Sequence, residues 1–205
     1  MKNERDLHKE VLSMFHNPEA NGFYPALAGL GALLLLLGEN PEREGLIDTP
    51  LRVLKAFAEM TGGYRDDPVE ILSTQFSETV DEVVVLRDIN FVSLCEHHLL
   101  PFTGVAAVVY LPGEKIVGLS KLARVVQCFA RRLQVQERLT NQIAEAVYEH
   151  LAAQGVMVIV KATHHCMTCR GVKQSSAEML TSAVRGVFRT DATARTEAMN
   201  LIMRG

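Results

Sequence analysis

The sequence has little cysteine and no surplus of charge. Its 205 residues include four cysteines, and 21 basic against 24 acidic side chains give a formal net charge of −3. This balance provides no overall attraction to nucleic acid or to an anionic membrane. Four cysteines, two of them close together at Cys166 and Cys169, indicate reduced thiols rather than a disulfide framework. We therefore expect a cytoplasmic protein that binds neither nucleic acid nor membrane.

Long hydrophobic runs and internal repeats are also missing. The longest apolar stretch, residues 26–37, is only 12 residues long and ends in five leucines. A bilayer core requires about 20 apolar residues, so this stretch predicts a buried helix instead. Gly38 to Pro41 is typical of a helix end and not of a signal-peptide cleavage site. With 48% hydrophobic residues, the chain has enough apolar sequence to form a core by itself.

The pattern of apolar residues predicts helices first and a mixed domain afterwards. Helices are expected at 4–15 and 24–38, with a third that Asp48 caps and Gly62 ends, and then a polar, irregular segment at 64–79. Strands are expected at 83–86 and 105–111. Two helices should follow, the first capped by Ser120 and the second ending near residue 151. Further strands are expected at 156–162 and 180–188, and a short helix from about 193. This order indicates an α+β fold, an antiparallel sheet backed by helices.

Two clusters of metal-ligating residues stand out, each at the end of a predicted strand. The first is Cys95-Glu96-His97-His98, whose C-x-x-H spacing lets a thiolate and an imidazole reach one ion. The second lies about 70 residues later and contains Cys166 and Cys169. Zinc is the expected ion, in one of two arrangements: a closed structural site with all three cysteines and His98, or an open site without Cys169.

Two further histidines favour the open arrangement. His97 and His164 lie next to the expected ligands, and imidazoles beside an open metal position suit proton transfer. A structural zinc would also be redundant in a chain that can build its own core.

Several basic residues indicate an anionic ligand. Ser120, Lys121 and Arg124 lie on the first turns of a predicted helix, whose free N–H groups already favour an anion. Arg52 and Lys55 form a second basic pair at helical spacing, and Arg170 follows the second metal cluster. Taken singly, each is more often a solvated charge; together they predict a phosphate site.

Five short motifs, in order along the chain, resemble GTP cyclohydrolase I. They are GL at 45–46 with TPLR at 49–52, CEHHLLPFTG at 95–104, GLSK at 118–121, QVQERL at 134–139 and HHCMTCRG at 164–171. The resemblance implies the tunnelling fold, ββααββ, in residues 76–205, preceded by an N-terminal helical extension in residues 1–75. It also implies a homo-oligomer, a decamer with active sites between subunits.

The resemblance assigns roles to individual residues. It implies one zinc ion per subunit on Cys95, His98 and Cys166, and it makes His97, His164 and Ser120 catalytic. Glu137 and Gln136 match guanine-binding positions. The remaining matches are triphosphate contacts: Lys121, Arg124, Arg170, Arg52 and Lys55.

The implied reaction converts GTP and water to 7,8-dihydroneopterin 3'-triphosphate and formate, the first step of pterin and tetrahydrofolate biosynthesis, with His164 protonating N7 of the purine and His97 moving protons. The alternative is a non-catalytic zinc-binding relative that acts in binding or assembly. Other tunnelling-fold enzymes, such as a pterin synthase or a deazaguanine reductase, use different ligands or a cysteine nucleophile.

Overall fold

The computed structural model describes residues 4–19, 21–78 and 80–203. The chain divides into two compact units, Met1–Arg65 and Asp66–Gly205. Among the described residues, no helix combines the length and the apolar character that crossing a bilayer requires.

The first unit is helical, as the sequence predicts. It contains α1 (Glu4–Ser13), α2 (Phe23–Leu36), α3 (Thr49–Met60) and a 3₁₀ turn (Gly62–Arg65) around a small core of Val11, Phe23 and Leu54. The prediction that the apolar helix is buried is wrong: Phe23 is its only buried residue within the described chain, and Leu36 is 85% exposed. A helix that is apolar on every side presents more surface than its neighbours in this chain cover.

Asp48 does not cap α3 with its side chain. Its backbone is in the helical region rather than the extended one, from which a side chain reaches the free N–H groups. The carboxylate instead accepts a hydrogen bond from Arg52 Nη2 at 3.1 Å. The first-turn proline of α3 is present as predicted.

The second unit is built on a five-stranded sheet in the order β5-β2-β3-β6-β7. Its strands are β2 (Val84–Cys95), β3 (Pro101–Leu111), β5 (Leu133–Gln134), β6 (Gly155–His164) and β7 (Met179–Gly186). All pairs are antiparallel except the short β5, which is parallel to β2. Two further short strands, β1 (Gln75–Phe76) and β4 (Ile116–Val117), pair with each other. The predicted antiparallel sheet of an α+β fold is confirmed.

Helices cover both faces of this sheet. α5 (Leu119–Ala130) and α6 (Gln136–His150) pack on one face around buried side chains such as Phe102, Val125 and Ile143. α8 (Val187–Thr190) and α9 (Ala192–Met203) contribute to a smaller core with alternate strand residues, among them Val109 and Met157. Each large apolar side chain buried in this way contributes about 1.5–3 kcal/mol.

Two local predictions in this unit are wrong. The described part of segment 64–79, residues 64–78, is not irregular, because it contains β1 and α4 (Pro68–Leu72), where Asp67 Oδ1 accepts from the N–H of Val69 at 2.8 Å. Ser120 is not a cap: α5 begins at Leu119, the N-cap is Gly118, and Ser120 lies inside the first turn. The remaining short helix, α7 (His165–Thr168), follows β6 directly.

Candidate active site

A tight turn between β2 and β3 presents the first cluster. β2 ends at Cys95 and β3 begins at Pro101, and the chain reverses in between. The N–H of Leu99 donates to Cys95 O and the N–H of Cys95 donates to Leu100 O, both at 2.8 Å. Leu99 adopts a left-handed backbone conformation, with φ of 54°, which is uncommon for a residue with a side chain. This turn returns His98 to Cys95.

β6 brings the second cluster to the same place. Phe102 pairs with His164 across the sheet, so the end of β6 lies beside the turn. The ligand atoms of Cys95, His98 and Cys166 all lie within 4.8 Å of one another, and Cys95 Sγ is 3.6 Å from His98 Nδ1. Around a tetrahedral ion, with sulfur at about 2.3 Å and nitrogen at about 2.0 Å, such atoms are roughly 3.5 Å apart. The group therefore fits a tetrahedral divalent ion with one position left over.

Cys169 is not part of this group in the described structure. Its thiol is exposed and donates to the carbonyl oxygen of His165 at 2.8 Å. The structure thus brings together three of the four residues that a closed site would need.

Burial and neighbouring groups shift the pKa values of two of these three residues. Burial raises the pKa of the Cys166 thiol, and the neighbouring Cys95 raises it further. Burial lowers the pKa of His98, and the positive charges of Arg170 and His97 lower it further. A neutral imidazole is the form that binds metal, and a divalent ion would stabilise the thiolates. Arg170 therefore lies close enough to this group for its charge to act on His98.

His164 lies beside the three ligands in a restrained position. Its ring stacks on Phe102, with centroids 4.6 Å apart and planes 2° from parallel. Its Nε2 is 2.8 Å from Gln136 Oε1. Burial lowers the pKa of His164, and the carboxylate of Glu137 partly opposes this shift.

Gln136 and Glu137 open α6 in different environments. Glu137 is exposed on the first turn, whereas Gln136 is 1% exposed. Among the described residues, the Gln136 side chain forms hydrogen bonds with His164, two main-chain carbonyls and Thr181. The guanine contact implied for Gln136 stays a prediction, although the burial of its amide does not favour a contact through the side chain.

Glu96 joins the turn between β2 and β3, which we call the metal turn, to α6. Its carboxylate forms an ion pair with Arg138, whose Nε donates to Gln134 Oε1 at 3.0 Å. The N–H of Glu96 also donates to Gln134 O at 3.0 Å. Sequence reasoning missed Arg138, because a charged residue on a helix is usually solvated and only the fold shows its partner. His97, next in the chain, is exposed, with Nδ1 4.0 Å from Cys95 Sγ.

The helix that carries Ser120, Lys121 and Arg124 begins at the opposite end of the sheet. Val117, just before α5, pairs with Gln75, and the side chain of Gln75 donates to the carbonyl oxygen of His150, the last residue of α6. The metal group lies instead at the first residue of α6, roughly 20 Å away along the helix axis. Lys121, Arg124 and Arg170 form no ion pair with any residue that the structure describes.

Arg52 and Lys55 belong to α3 of the first unit. Arg52 is exposed and pairs with Asp48, and Lys55 is half-buried. The prediction that Arg52 and Lys55 contact a triphosphate depends on the positive charge of these two side chains.

Comparison with known proteins identifies the family. The sequence model of GTP cyclohydrolase I matches residues 28–203. This chain belongs to the GTP cyclohydrolase I family. It is 53% identical over 172 residues to GTP cyclohydrolase 1 of Rhodopirellula baltica, covering 84% of this chain and 75% of the relative. It is 54% identical over 171 residues to that of Geobacillus kaustophilus (83% and 91%), and 53% over 173 residues to that of Bacillus subtilis (84% and 91%).

Membership of the GTP cyclohydrolase I family confirms the resemblance that the five motifs indicated. The three relatives named above are all GTP cyclohydrolases 1, which gives no support to the alternative of a non-catalytic relative. All five motifs fall inside the matched range of the GTP cyclohydrolase I model, so the metal group and the start of α6 are within the region shared with the family.

Proposed function

We propose that this chain is a cytoplasmic, zinc-dependent GTP cyclohydrolase I that converts GTP and water to 7,8-dihydroneopterin 3'-triphosphate and formate. The observation that carries the proposal is the grouping of Cys95, His98 and Cys166 beside His164, in a chain 53–54% identical to curated GTP cyclohydrolases 1. A zinc ligand set with one open position next to a restrained histidine suits hydrolysis of a purine carbon–nitrogen bond.

Cys95, His98 and Cys166 would hold the ion. A zinc ion in that position supplies Lewis acidity, which lowers the pKa of water toward 7. Cys169 would not be a ligand. Its thiol forms a hydrogen bond with the main-chain oxygen of His165, which supports the open metal site over the closed one. We assign one zinc ion to each chain.

His164 and His97 would move the protons. When water adds at C8 of guanine, it gives up one proton and N7 takes one up, and His164 would carry this proton from the water to N7. Opening of the imidazole ring and a second hydrolysis then release C8 as formate. His97 is exposed and close to Cys95, so it can exchange protons with solvent. The freed amine closes onto the rearranged ribose to give the pterin ring.

Glu137 would select guanine. A carboxylate accepts hydrogen bonds from both N1–H and the exocyclic N2–H₂ of guanine, a donor pair that adenine lacks. Glu137 is exposed on the first turn of α6, next to the residue that contacts His164.

Arg170, Lys121, Arg124, Arg52 and Lys55 would bind the triphosphate, with Ser120 close to the ribose. Because α5 begins roughly 20 Å from the metal group of its own chain, its first turn can reach the same GTP only from a second copy. This distance supports a homo-oligomer with active sites between subunits, for which we propose a decamer.

The test is turnover of GTP by purified protein with and without a zinc chelator. We expect formate and a product that becomes fluorescent on oxidation, both lost on chelation and restored by zinc. His164→Ala should abolish turnover with zinc content unchanged, whereas His16→Ala, in the first unit, should not affect it. Normal formate release by His164→Ala would remove His164 from the reaction.

A further inference from the structure

The amide of Gln136 can adopt only one orientation. Its Nε2 is 3.0 Å from Val160 O and 3.0 Å from Met179 O, and both are main-chain carbonyls, which only accept hydrogen bonds. Turning the amide over would place its own oxygen against these two oxygens inside the core, where an unmade hydrogen bond is costly. Nε2 must therefore face β6 and β7, and Oε1 must face His164.

Two threonines support the same orientation. Thr140 Oγ1 donates to Gln136 O at 2.7 Å, and this leaves its oxygen to accept from Thr181 Oγ1 at 2.6 Å. Thr181, having donated, can share one of the two Nε2 hydrogens with a carbonyl, at 3.1 Å from Nε2. Every donor in this buried chain then has an acceptor, whereas turning the amide over would leave both carbonyls without this donor.

The orientation of Gln136 determines where His164 carries its proton. Because Oε1 can only accept, His164 Nε2, 2.8 Å away, has to be the donor. The stacked ring of Phe102 keeps the imidazole in the plane that makes this bond. Within the described part of the chain, the other ring nitrogen, Nδ1, has no hydrogen-bond partner.

We infer that Gln136 is a positioning residue for His164: it holds a proton on Nε2, so that Nδ1 is the nitrogen that gives and takes protons at the substrate. This inference rests on the proposed function. It replaces the direct guanine contact predicted for Gln136 with a role that acts through the histidine. Glu137, one residue later and exposed, remains the group that recognises the base.

Kinetics distinguish positioning from substrate contact. In zinc-loaded Gln136→Met, which keeps the chain length and loses both polar atoms, we expect kcat for formate release to fall about 10- to 100-fold. The KM for GTP should stay within about twofold, because only the reacting histidine is disturbed. Glu137→Gln should instead raise KM. A rise in KM without a fall in kcat for Gln136→Met would overturn the inference.

A matched control comes from the neighbouring helix. Gln127, on α5, donates from Nε2 to Asn90 O and has no bond to His164. Gln127→Met makes the same chemical change and should leave kcat and KM unaltered. An equal fall in kcat for Gln127→Met would show a general effect of losing an amide and would also overturn the inference.

A spectroscopic measurement on the unmodified protein depends neither on turnover nor on how Gln136→Met folds. Solid-state ¹⁵N NMR of zinc-loaded protein labelled at histidine, with the His164 signals assigned by their loss in His164→Asn, reports which ring nitrogen carries the proton. We expect Nε2–H and an unprotonated Nδ1 in the neutral ring; the reverse tautomer would overturn the inference. If the unmodified protein releases no formate from GTP, the proposed function fails while the tautomer result still stands.

Discussion

At the scale of single residues, the ion pair with Arg138 explains the role of Glu96, which does not belong to the three-ligand metal group. Glu96 lies between Cys95 and His97, and its partner lies one residue beyond Glu137. The pair therefore joins the metal turn to the first turn of α6. Its side chains are 33% and 42% exposed, so water screens the attraction in part.

Glu96→Gln should lower the free energy of unfolding by no more than about 1 kcal/mol, because the pair is partly exposed. The loss should shrink as salt is added, since salt screens the ion pair. Urea unfolding of both proteins at low and high ionic strength measures this. Glu178→Gln, which breaks the more exposed pair with Lys161, is the control and should cost less. A loss of unfolding free energy that does not change with salt, or that is no greater than in the control, would contradict the ion pair between Glu96 and Arg138.

The spacing of the cysteines and histidines predicted a metal site but left the place of Cys169 open, and the set of three ligands came from the family resemblance. Cys95 and His98 are three residues apart, and one turn of chain suffices to join them. The function of Gln136 could not be predicted in this way. Its amide direction depends on carbonyls of Val160 and Met179, 24 and 43 residues away, and only the paired strands bring those carbonyls together.

At the scale of elements, β3 holds the two halves of the site together. It pairs with β2, which ends at Cys95, and with β6, which ends at His164. At Gly104 the backbones approach so closely that a β-carbon would lie 1.9 Å from Lys161 O and 2.7 Å from the α-carbon of Ala162. Main-chain atoms in a sheet cannot move away cheaply, so this position requires glycine.

Gly104→Ala should therefore lower the free energy of unfolding by about 1–3 kcal/mol, the usual cost of overpacking, or more. Urea unfolding followed by circular dichroism measures the change. The control is Gly29→Ala in α2, where an added β-carbon meets no atom within 4 Å and helix propensity should even improve. Unchanged stability of Gly104→Ala would mean that β3 and β6 are further apart than the structure shows.

Helices and strands could be predicted where the pattern of apolar residues was long, as in α6. The ends of a strand could be predicted less well where local backbone geometry determined them. β2 is longer than the predicted strand at 83–86, because it continues past an irregularity at Asp88, whose φ is 58°, to Cys95. β5 has only two residues, too few to show a period, yet it places Gln136 beside the metal turn.

At the scale of the whole molecule, the residues of the proposed site lie at both ends of the sheet. The metal group and Glu137 are at one end, and the first turn of α5 is at the other. Sequence order cannot show this separation, because it depends on the direction in which α5 and α6 run. Within the proposed oligomer, each site would take its metal end from one chain and its α5 end from another.

Mixed subunits test this arrangement. His164→Ala and Lys121→Ala should each be inactive alone, and co-expression of the two should restore formate release, because some sites then combine an intact metal end with an intact α5 end. Lys121→Ala mixed with Arg124→Ala is the control and should not recover, since both changes damage the same end. No recovery in the first mixture would show that one chain supplies the whole site.

The most direct measurement compares zinc content and formate release from GTP in Cys166→Ser and Cys169→Ser. The two cysteines are three residues apart, but only Cys166 belongs to the three-ligand group. We predict that Cys166→Ser loses zinc and releases no formate, whereas Cys169→Ser retains both. Loss of zinc and formate release in Cys169→Ser would contradict an open, catalytic metal site.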